Sequence, residues 1–305
     1  MTGRLFIIAG PAGAGKNRLM GHVLRAGIAR QLPTATTRAI RPGEQEGREH
    51  LYVSRAEFER MIAAEELLEW QPVHDNLYGI HRPTLEHALA AGESIIADID
   101  IKGAQAARAV FGRRVVIVFV QTPTIADLID RMRIRGETTA SIGLRLLRVG
   151  DEIAFAAQAD AVITNETADL AADKLVTIVR AVLADANAGA YCDEPIAYRY
   201  ALHAQALVIH HGCVLTRRRA PEYPVTDCAV GEQPGAAARR ALASDLSAIA
   251  DSLTANADAS LYRAPAAIDH RRDADGVEVI TYSYIVPLSD AFPAPDGWTW
   301  TETGL

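Results

Sequence analysis

The chain has 305 residues, of which 49% are hydrophobic and 23% charged, a composition typical of a globular protein long enough for two domains. Its net charge of −7 and isoelectric point near 5.7 argue against a nucleic-acid-coating surface, and its three scattered cysteines argue against a disulfide framework. With no basic leader and no membrane-length apolar run, the sequence predicts a cytoplasmic protein without a nucleic-acid or membrane partner.

The first predicted strand, at residues 6–9, leads into a glycine-rich loop followed by a predicted helix. The loop residues are Gly10, Pro11, Ala12, Gly13, Ala14, Gly15, Lys16 and Asn17. Backbone N–H groups of such a loop can surround phosphate oxygens, and a mobile lysine can follow the transferring charge. Asn17 occupies the position of a Ser or Thr whose hydroxyl helps to hold Mg²⁺, and an amide oxygen is a weaker ligand. The loop therefore predicts a nucleoside triphosphate site with an altered metal contact.

Two arginines, Arg38 and Arg41, follow the hydroxyl-rich residues 34–37. Each guanidinium can direct two N–H groups at phosphate oxygens, which favours a second phosphate site. A solvated charged loop is the alternative when this cluster is taken alone.

The predicted strand at 94–99 carries Asp98 near its end, and Asp100 follows. Carboxylates at the end of a buried strand can face a nucleotide or hold Mg²⁺ through water. Either could instead cap the following helix.

The predicted strands at 6–9, 94–99, 115–120 and 161–164 alternate with helical patterns, which predicts a parallel sheet covered by helices. A helix at 169–183 closes this first domain, assigned to 1–184, and 185–193 form a linker. The second domain, 194–305, is predicted to be α+β with a mixed sheet. Its elements are a hairpin of 204–209 and 212–216 that turns at 210–211, a helix at 236–250 and a strand at 277–286.

The glycine loop, the arginine cluster and the motifs at 67–70, 76–79 and 98–104, in this order, resemble the guanylate kinase family over residues 3–183. The resemblance implies an α/β P-loop kinase with a parallel sheet, a lid and a small monophosphate-binding subdomain. It also implies ATP as the donor, Mg²⁺ as the cofactor, and phosphorylation of GMP, dGMP or a close relative. The partners are then small-molecule nucleotides, and the protein is a monomer or homodimer.

The same resemblance assigns site residues. The acceptor set is Thr34, Arg38, Arg41, His50, Glu69, Tyr78, Ile80 and Asp98. The ATP set is the loop from Gly10 to Asn17 together with Arg131 and Asn165, and the catalytic set is Lys16, Arg135 and Arg145. Asn17 and Asp100 are the candidate metal ligands, partly through water. Glu69 would read guanine, because a carboxylate accepts from both N1–H and the exocyclic amino group, whereas adenine offers a lone pair at N1.

Besides Asn17, three positions of the acceptor pocket depart from the family pattern. His50 replaces a tyrosine, Ile80 a Ser or Thr expected near guanine O6, and Lys102 a glutamine. His50 and Ile80 resemble instead the ribose 1,5-bisphosphate phosphokinase of phosphonate metabolism, which is the second hypothesis. A third is a non-catalytic guanylate-kinase-like binding module, which typically loses the loop lysine and glycines that this chain keeps.

The second domain resembles a degenerate Nudix domain. Glu232 and Arg240 are in register with the Nudix box, but the metal-ligand positions are Ala241, Ser244 and Asp245. A single aspartate does not supply the carboxylate cluster that metal-activated water needs, so a binding or packing module is favoured over a hydrolase. An unrelated α+β domain is the alternative.

Overall fold

A computed structural model describes residues 3–48, 50–73, 75–186, 188–198, 200–210, 213–217, 225–228, 233–245, 265–287 and 298–302. The chain divides into two compact units, Met1–Pro123 with Val149–Ile196 and Thr124–Arg148 with Ala197–Leu305. The predicted domains place 124–148 with the first domain, whereas the compact units group this segment with the C-terminal residues. The predicted boundaries at 184 and 194 stay predictions.

The strands and helices are numbered in chain order over the described residues. The strands are β1 (Arg4–Ala9), β2 (Arg30–Gln31), β3 (Thr34–Thr36), β4 (His50–Tyr52), β5 (Leu67–Val73), β6 (Asn76–His81), β7 (Ser94–Asp98), β8 (Val115–Gln121), β9 (Ala161–Thr164), β10 (Tyr200–His210), β11 (Cys213–Arg217), β12 (Val225–Asp227), β13 (Ala267–Arg272), β14 (Glu278–Pro287) and β15 (Trp298–Glu302). The helices are α1 (Lys16–Arg25), α2 (Arg55–Ala63), α3 (Arg82–Ala90), α4 (Ile101–Phe111), α5 (Ile125–Ile134), α6 (Thr139–Ala154), α7 (Ala168–Leu183) and α8 (Pro234–Asp245).

The first unit is built on a parallel sheet with strand order β2-β7-β1-β8-β9. Every residue of β8 is buried, as expected for a strand covered by helices on both faces. On α1, the buried Leu19, Met20 and Val23 form the apolar face that packs inward. The four strands predicted at 6–9, 94–99, 115–120 and 161–164 are all present, and α7 occupies the predicted helix at 169–183.

A four-stranded sheet with order β4-β3-β6-β5 forms a smaller layer in the same unit. Its core contains Phe58 and Met61 from α2, packed with Ala35, Leu67 and Leu77 from the strands. The strand register sets Thr34 opposite His50, and Thr36 opposite Tyr78. This small sheet therefore brings residues from three separate chain segments next to one another.

The second unit contains α5, the first part of α6 and a mixed sheet with order β13-β14-β10-β11-β15 and β12 paired with β10. β10 runs parallel to β14 and antiparallel to β11, so the predicted hairpin and the mixed sheet are both present. The predicted helix at 236–250 is described as α8 up to Asp245, and 246–250 lie outside the described residues. Within the described part of the chain, no helix combines the length and the apolar character that crossing a bilayer requires.

Candidate functional site

The glycine loop lies between the end of β1 and the start of α1. Gly10, Gly13 and Gly15 all have positive φ angles, of 133°, 88° and 95°. A Cβ atom on Gly10 would lie 2.2 Å from the carbonyl oxygen of Val120, so only glycine fits there. The loop thus bends tightly at the carboxyl edge of the sheet and directs the N-terminal end of α1 outward, as an anion site needs.

Lys16 extends its ammonium group back over this loop. Its Nζ donates to the carbonyl oxygens of Gly10, at 2.7 Å, and Pro11, at 3.2 Å. The same Nζ lies 3.9 Å from Oδ1 of Asp98, whose side chain is 32% exposed. Partial burial raises the pKa of Asp98, while the positive charge of Lys16 opposes that rise. Lys16 therefore contacts both the glycine loop and the end of β7.

Asn165, which the resemblance assigns to the adenine side, follows β9 and is 3% exposed. Its Nδ2 donates to the carbonyl oxygen of Ala14 at 2.7 Å. A Cβ atom on Gly15 would lie 2.5 Å from that Nδ2. The structure thus gives Asn165 a contact with the glycine loop itself, and its role toward adenine stays a prediction.

A cavity of about 270 Å³ opens between the small sheet and the end of β7. Its lining residues are Thr34, His50, Glu69, Gln71, Tyr78, Gly79, Ile80, Asp98, Ile99 and Asp100. Six of the eight predicted acceptor residues are among them. Gln71 was not predicted, although it lies two residues after Glu69 on β5 and alternation along a strand places both on one face.

Glu69 is the half-buried carboxylate of this cavity. A Cβ atom on Gly103 would lie 2.6 Å from Glu69 Oε2, so the glycine on the first turn of α4 makes room for the carboxylate. Burial raises the pKa of Glu69 to about 7, the negative charge of Asp100 adds to the rise, and Lys102 opposes it. A ligand that donates hydrogen bonds to the ionised carboxylate stabilises that form against protonation.

Thr34 and His50 form another part of the cavity wall. Thr34 Oγ1 and His50 Nδ1 are 2.8 Å apart and share a hydrogen bond. The His50 ring makes edge contacts with the rings of Tyr52 and Tyr78, at centroid distances of 5.6 Å and 5.8 Å. The histidine that departs from the family pattern is therefore fixed by partners on three sides. Ile80, the other departure in this wall, is 3% exposed and packs into the main hydrophobic core.

Arg38 reaches the edge of the cavity through Tyr78, whose hydroxyl accepts from Arg38 Nε at 3.2 Å. Glu44 Oε1 accepts from Arg38 Nη2 at 2.8 Å. The other Glu44 oxygen accepts from the Tyr52 hydroxyl at 2.8 Å and from the Arg41 backbone N–H at 2.7 Å. Arg38 thereby lowers the pKa of Glu44 to about 2, and the pKa of Arg38 is raised in return.

Glu44 and Tyr52 are functional candidates that sequence reasoning missed. Glu44 ends the same arginine motif, and Tyr52 lies two residues after His50 on β4. Alternation along a strand predicts that residues 50 and 52 share a face, and this is the signal that could have found Tyr52.

The oxygen ligands near the glycine loop fit an Mg²⁺ ion that is held mainly by phosphates and water. Asn17 is exposed on the first turn of α1. Asp100 Oδ1 accepts from Gly103 N–H at 2.8 Å and caps α4, which is the capping alternative for this residue. Among the described residues no group of three or more His, Cys, Asp or Glu could form a complete metal cage. Mg²⁺ usually binds through one or two carboxylates plus substrate phosphates, so these oxygens suit it.

The predicted arginines Arg131, Arg135 and Arg145 lie in the second unit. Arg135 is the C-cap residue directly after α5, and Gly136, with φ 77°, starts the turn toward α6. Arg135 Nη2 donates to Glu137 Oε1, and Arg145 Nε lies 2.8 Å from Glu137 Oε2. Two predicted catalytic arginines thus share one carboxylate, and their side chains stay 54% and 50% exposed. The sequence pattern did not indicate Glu137.

The degenerate Nudix box falls partly outside the described residues, because Glu232 lies in the undescribed segment 229–232. Arg240 donates to Thr226 Oγ1 at 3.0 Å and to the Asp227 carbonyl oxygen at 2.8 Å, so it fastens α8 to β12. Ala241, at one of the metal-ligand positions, is 3% exposed. The Nudix-like assignment stays a prediction.

The chain is similar in sequence to known proteins. Residues 2–182 match the family model described as guanylate kinase. A guanylate kinase from Bordetella pertussis is 39% identical over 182 residues, which are 59% of this chain and 84% of that protein. One from Dechloromonas aromatica is 39% identical over 183 residues, or 59% of this chain and 90% of that protein. A crystal structure of guanylate kinase from Anaplasma phagocytophilum aligns with a TM-score of 0.46 and 29% identity, covering 59% of this chain and 86% of that one.

Proposed function

The chain belongs to the guanylate kinase family, and on this premise we propose that it transfers the γ-phosphoryl group of ATP to a guanine nucleoside monophosphate, GMP or dGMP. It is a nucleoside monophosphate kinase, and its family uses ATP and Mg²⁺. What we propose is the identity of the acceptor and the roles of the residues that bind it.

The observation that carries the proposal is that Glu69 lines the acceptor cavity together with Thr34, and that Gly103 leaves room for its carboxylate. Guanine presents two adjacent donors, N1–H and the exocyclic amino group, and an ionised carboxylate accepts from both. Adenine presents a lone pair at N1 and would leave the half-buried carboxylate unpaired, at a cost of about 1–3 kcal/mol. Glu69 therefore selects guanine by its hydrogen-bonding pattern.

The acceptor phosphate binds at the Arg38 end of the cavity. The Tyr78 hydroxyl and the guanidinium of Arg38 are already joined by a hydrogen bond, so both are oriented before a ligand arrives. Glu44 Oε1 accepts from Arg38 Nη2 at 2.8 Å, so an acceptor phosphate competes with this carboxylate for the guanidinium. Arg41, exposed in the same loop, adds a second cation.

The donor phosphates bind at the glycine loop, where backbone N–H groups and Lys16 meet the β- and γ-phosphate oxygens. Asn17, Asp98 and Asp100 would hold Mg²⁺, directly or through water. When bound, this ion neutralises charge on the phosphate oxygens. Arg135 and Arg145 stabilise the charge that builds up on the transferring group.

The decisive test is an ADP-release assay across GMP, dGMP, AMP, UMP and ribose 1,5-bisphosphate, with a Glu69→Gln variant beside the unmodified chain. We expect turnover with GMP or dGMP, and a loss of about 100-fold in kcat/KM for GMP in the variant. Gln71→Ala is the matched control, because it lines the same cavity on the same strand but has no assigned partner on the base.

A second acceptor class is favoured by one specific observation, the apolar and buried Ile80, which lines the cavity together with His50. A sugar bisphosphate has no base edge that needs a hydroxyl at position 80. Activity on ribose 1,5-bisphosphate without activity on GMP would replace the guanine proposal. No turnover of any acceptor, combined with no ATP binding in calorimetry, would indicate the non-catalytic binding module.

A further inference from the structure

The Thr124–Arg148 segment, called the lid segment from here on, carries the three predicted phosphate arginines and packs on the C-terminal strands within the second unit. This packing begins at the first turn of α5. The Ile125 backbone N–H donates to Glu278 Oε2 at 2.8 Å, across 153 residues of sequence, in a buried hydrogen bond. Glu278, the first residue of β14, is 8% exposed.

The Glu278 contact completes the cap of α5. Thr124 and Asp127 form a capping box, in which Thr124 Oγ1 accepts from the Asp127 N–H at 3.0 Å. That box leaves the Ile125 N–H without an intrahelical acceptor, and Glu278 provides one. The second oxygen of Glu278 accepts from Arg272 Nη2 at 3.0 Å, so both oxygens are used. A carboxylate at a helix N-terminus is also favoured by the helix dipole.

Two more contacts fasten the rest of the segment. Near the end of α5, Arg133 Nη2 donates to the carbonyl oxygen of Ile268 on β13. On α6, Gly143 faces Pro265 and Ile268, and a Cβ atom there would lie 3.2 Å and 3.4 Å from their side chains. A glycine inside a helix is unfavourable relative to alanine, but here its small size allows close packing of α6 against Pro265 and Ile268.

We propose that β13 and β14 form a seat for the lid segment, and that Glu278 and Arg133 are positioning residues that set where Arg135 and Arg145 stand during phosphoryl transfer. The role in catalysis rests on the proposed function, whereas the seat itself rests on the contacts above. The C-terminal part of the chain then contributes to the kinase through the lid segment. A misplaced arginine loses transition-state contacts, so the effect falls on kcat.

The test uses the full chain with Glu278→Ala, Arg133→Met and the control Gln205→Ala. Gln205 Nε2 donates to Ser283 Oγ at 2.7 Å, a hydrogen bond within the same sheet that does not touch the lid segment. We expect each lid-seat variant to lower kcat by about tenfold while KM for the acceptor stays within about twofold. Faster amide hydrogen exchange in 124–148 should accompany this loss, and the control should match the unmodified chain in all three measurements.

Unchanged kcat and unchanged exchange in both lid-seat variants would overturn the proposal, as would an equal loss in Gln205→Ala. Arg133→Met covers the case in which Glu278→Ala fails to fold. If the unmodified chain transfers no phosphoryl group at all, the proposed function fails, while faster exchange of 124–148 in the variants still supports the seat.

Discussion

At the scale of single residues, the acceptor cavity is a set of charges whose ionisation is controlled by their neighbours. Glu44 lies beside Arg38, which holds the pKa of Glu44 at about 2, so this carboxylate stays ionised at any physiological pH. Glu69 is half-buried, and burial raises its pKa to about 7. Two carboxylates of one site thus behave differently, and of the two only Glu69 titrates near neutral pH.

Glu69 should make guanine recognition dependent on pH. The ionised form accepts from guanine, and protonation removes that form as the pH falls through about 7, so kcat/KM for GMP should fall on the acid side. We expect a decline of about tenfold per unit well below the pKa. The measurement is kcat/KM for GMP between about pH 5.5 and pH 8.5.

The control for this profile is Glu69→Gln, because the acceptor phosphate itself titrates near pH 6. The variant should lose the inflection that belongs to Glu69 and keep only that of the phosphate. An unmodified chain whose profile matches that of the variant would contradict the role given to Glu69.

Asn17 should limit the use of Mg²⁺. An amide oxygen replaces the hydroxyl that the glycine-loop pattern provides, and it is the weaker ligand. We expect Asn17→Thr to lower the Mg²⁺ concentration for half-maximal rate several-fold, and Asn17→Ala to raise it. Mg²⁺ titrations at fixed ATP make the comparison, and identical curves for the two variants would show that residue 17 does not contact the metal.

At the scale of elements, the site depends on where strands end. The loop after β1, the end of β7 and the turn after β9 lie along one edge of the parallel sheet, which brings Lys16, Asp98 and Asn165 together from positions up to 149 residues apart. In the small sheet, direct pairing of β3 with β4 adds Thr34 and His50. Helices contribute their N-terminal turns, as α4 does with Gly103.

The glycine loop should not tolerate a side chain at its first position. Gly10→Ala puts a Cβ atom 2.2 Å from the Val120 carbonyl oxygen at a φ of 133°, so the loop must shift. We expect a loss of about 1–3 kcal/mol in the free energy of unfolding and loss of ATP binding, measured by chemical denaturation and calorimetry.

Gly21→Ala is the matched control for this substitution. Gly21 lies within α1, and the added methyl carbon would lie 3.3 Å from the flexible Arg25 guanidinium, which can move aside. The control should be neutral or gain up to about 1 kcal/mol. Equal stability of the two variants would show that the loop is less constrained than its geometry indicates.

At the scale of the whole molecule, the acceptor cavity and the predicted lid arginines belong to different compact units. The cavity is lined by residues of the first unit, whereas Arg135, Arg145 and Glu137 are in the second. Substrate binding and charge stabilisation are therefore assigned to different compact units.

We expect the division into two compact units to show in thermal unfolding. GMP at about 100 times its dissociation constant stabilises the state that binds it by about 2.7 kcal/mol. We expect calorimetry to resolve two transitions, of which GMP raises only the one belonging to the unit with the cavity. Glu69→Ala should abolish that shift, and an equal GMP-induced rise of both transitions would contradict the division.

Local sequence patterns predicted the parallel sheet of the first unit, and the family resemblance assigned the site residues, whose roles stay predictions. Apolar runs identify buried strands, and a glycine loop between strand and helix has few other uses. Six acceptor residues predicted from motifs do line one cavity. Only the folded chain revealed which groups pair, namely Glu44 with Arg38 and Tyr52, Glu137 with Arg135 and Arg145, and Glu278 with Ile125. The first two sets lie close in sequence, but side-chain direction decides their pairing. The Glu278–Ile125 pair spans 153 residues and depends on how α5 packs on β14, of which the local sequence carries no record.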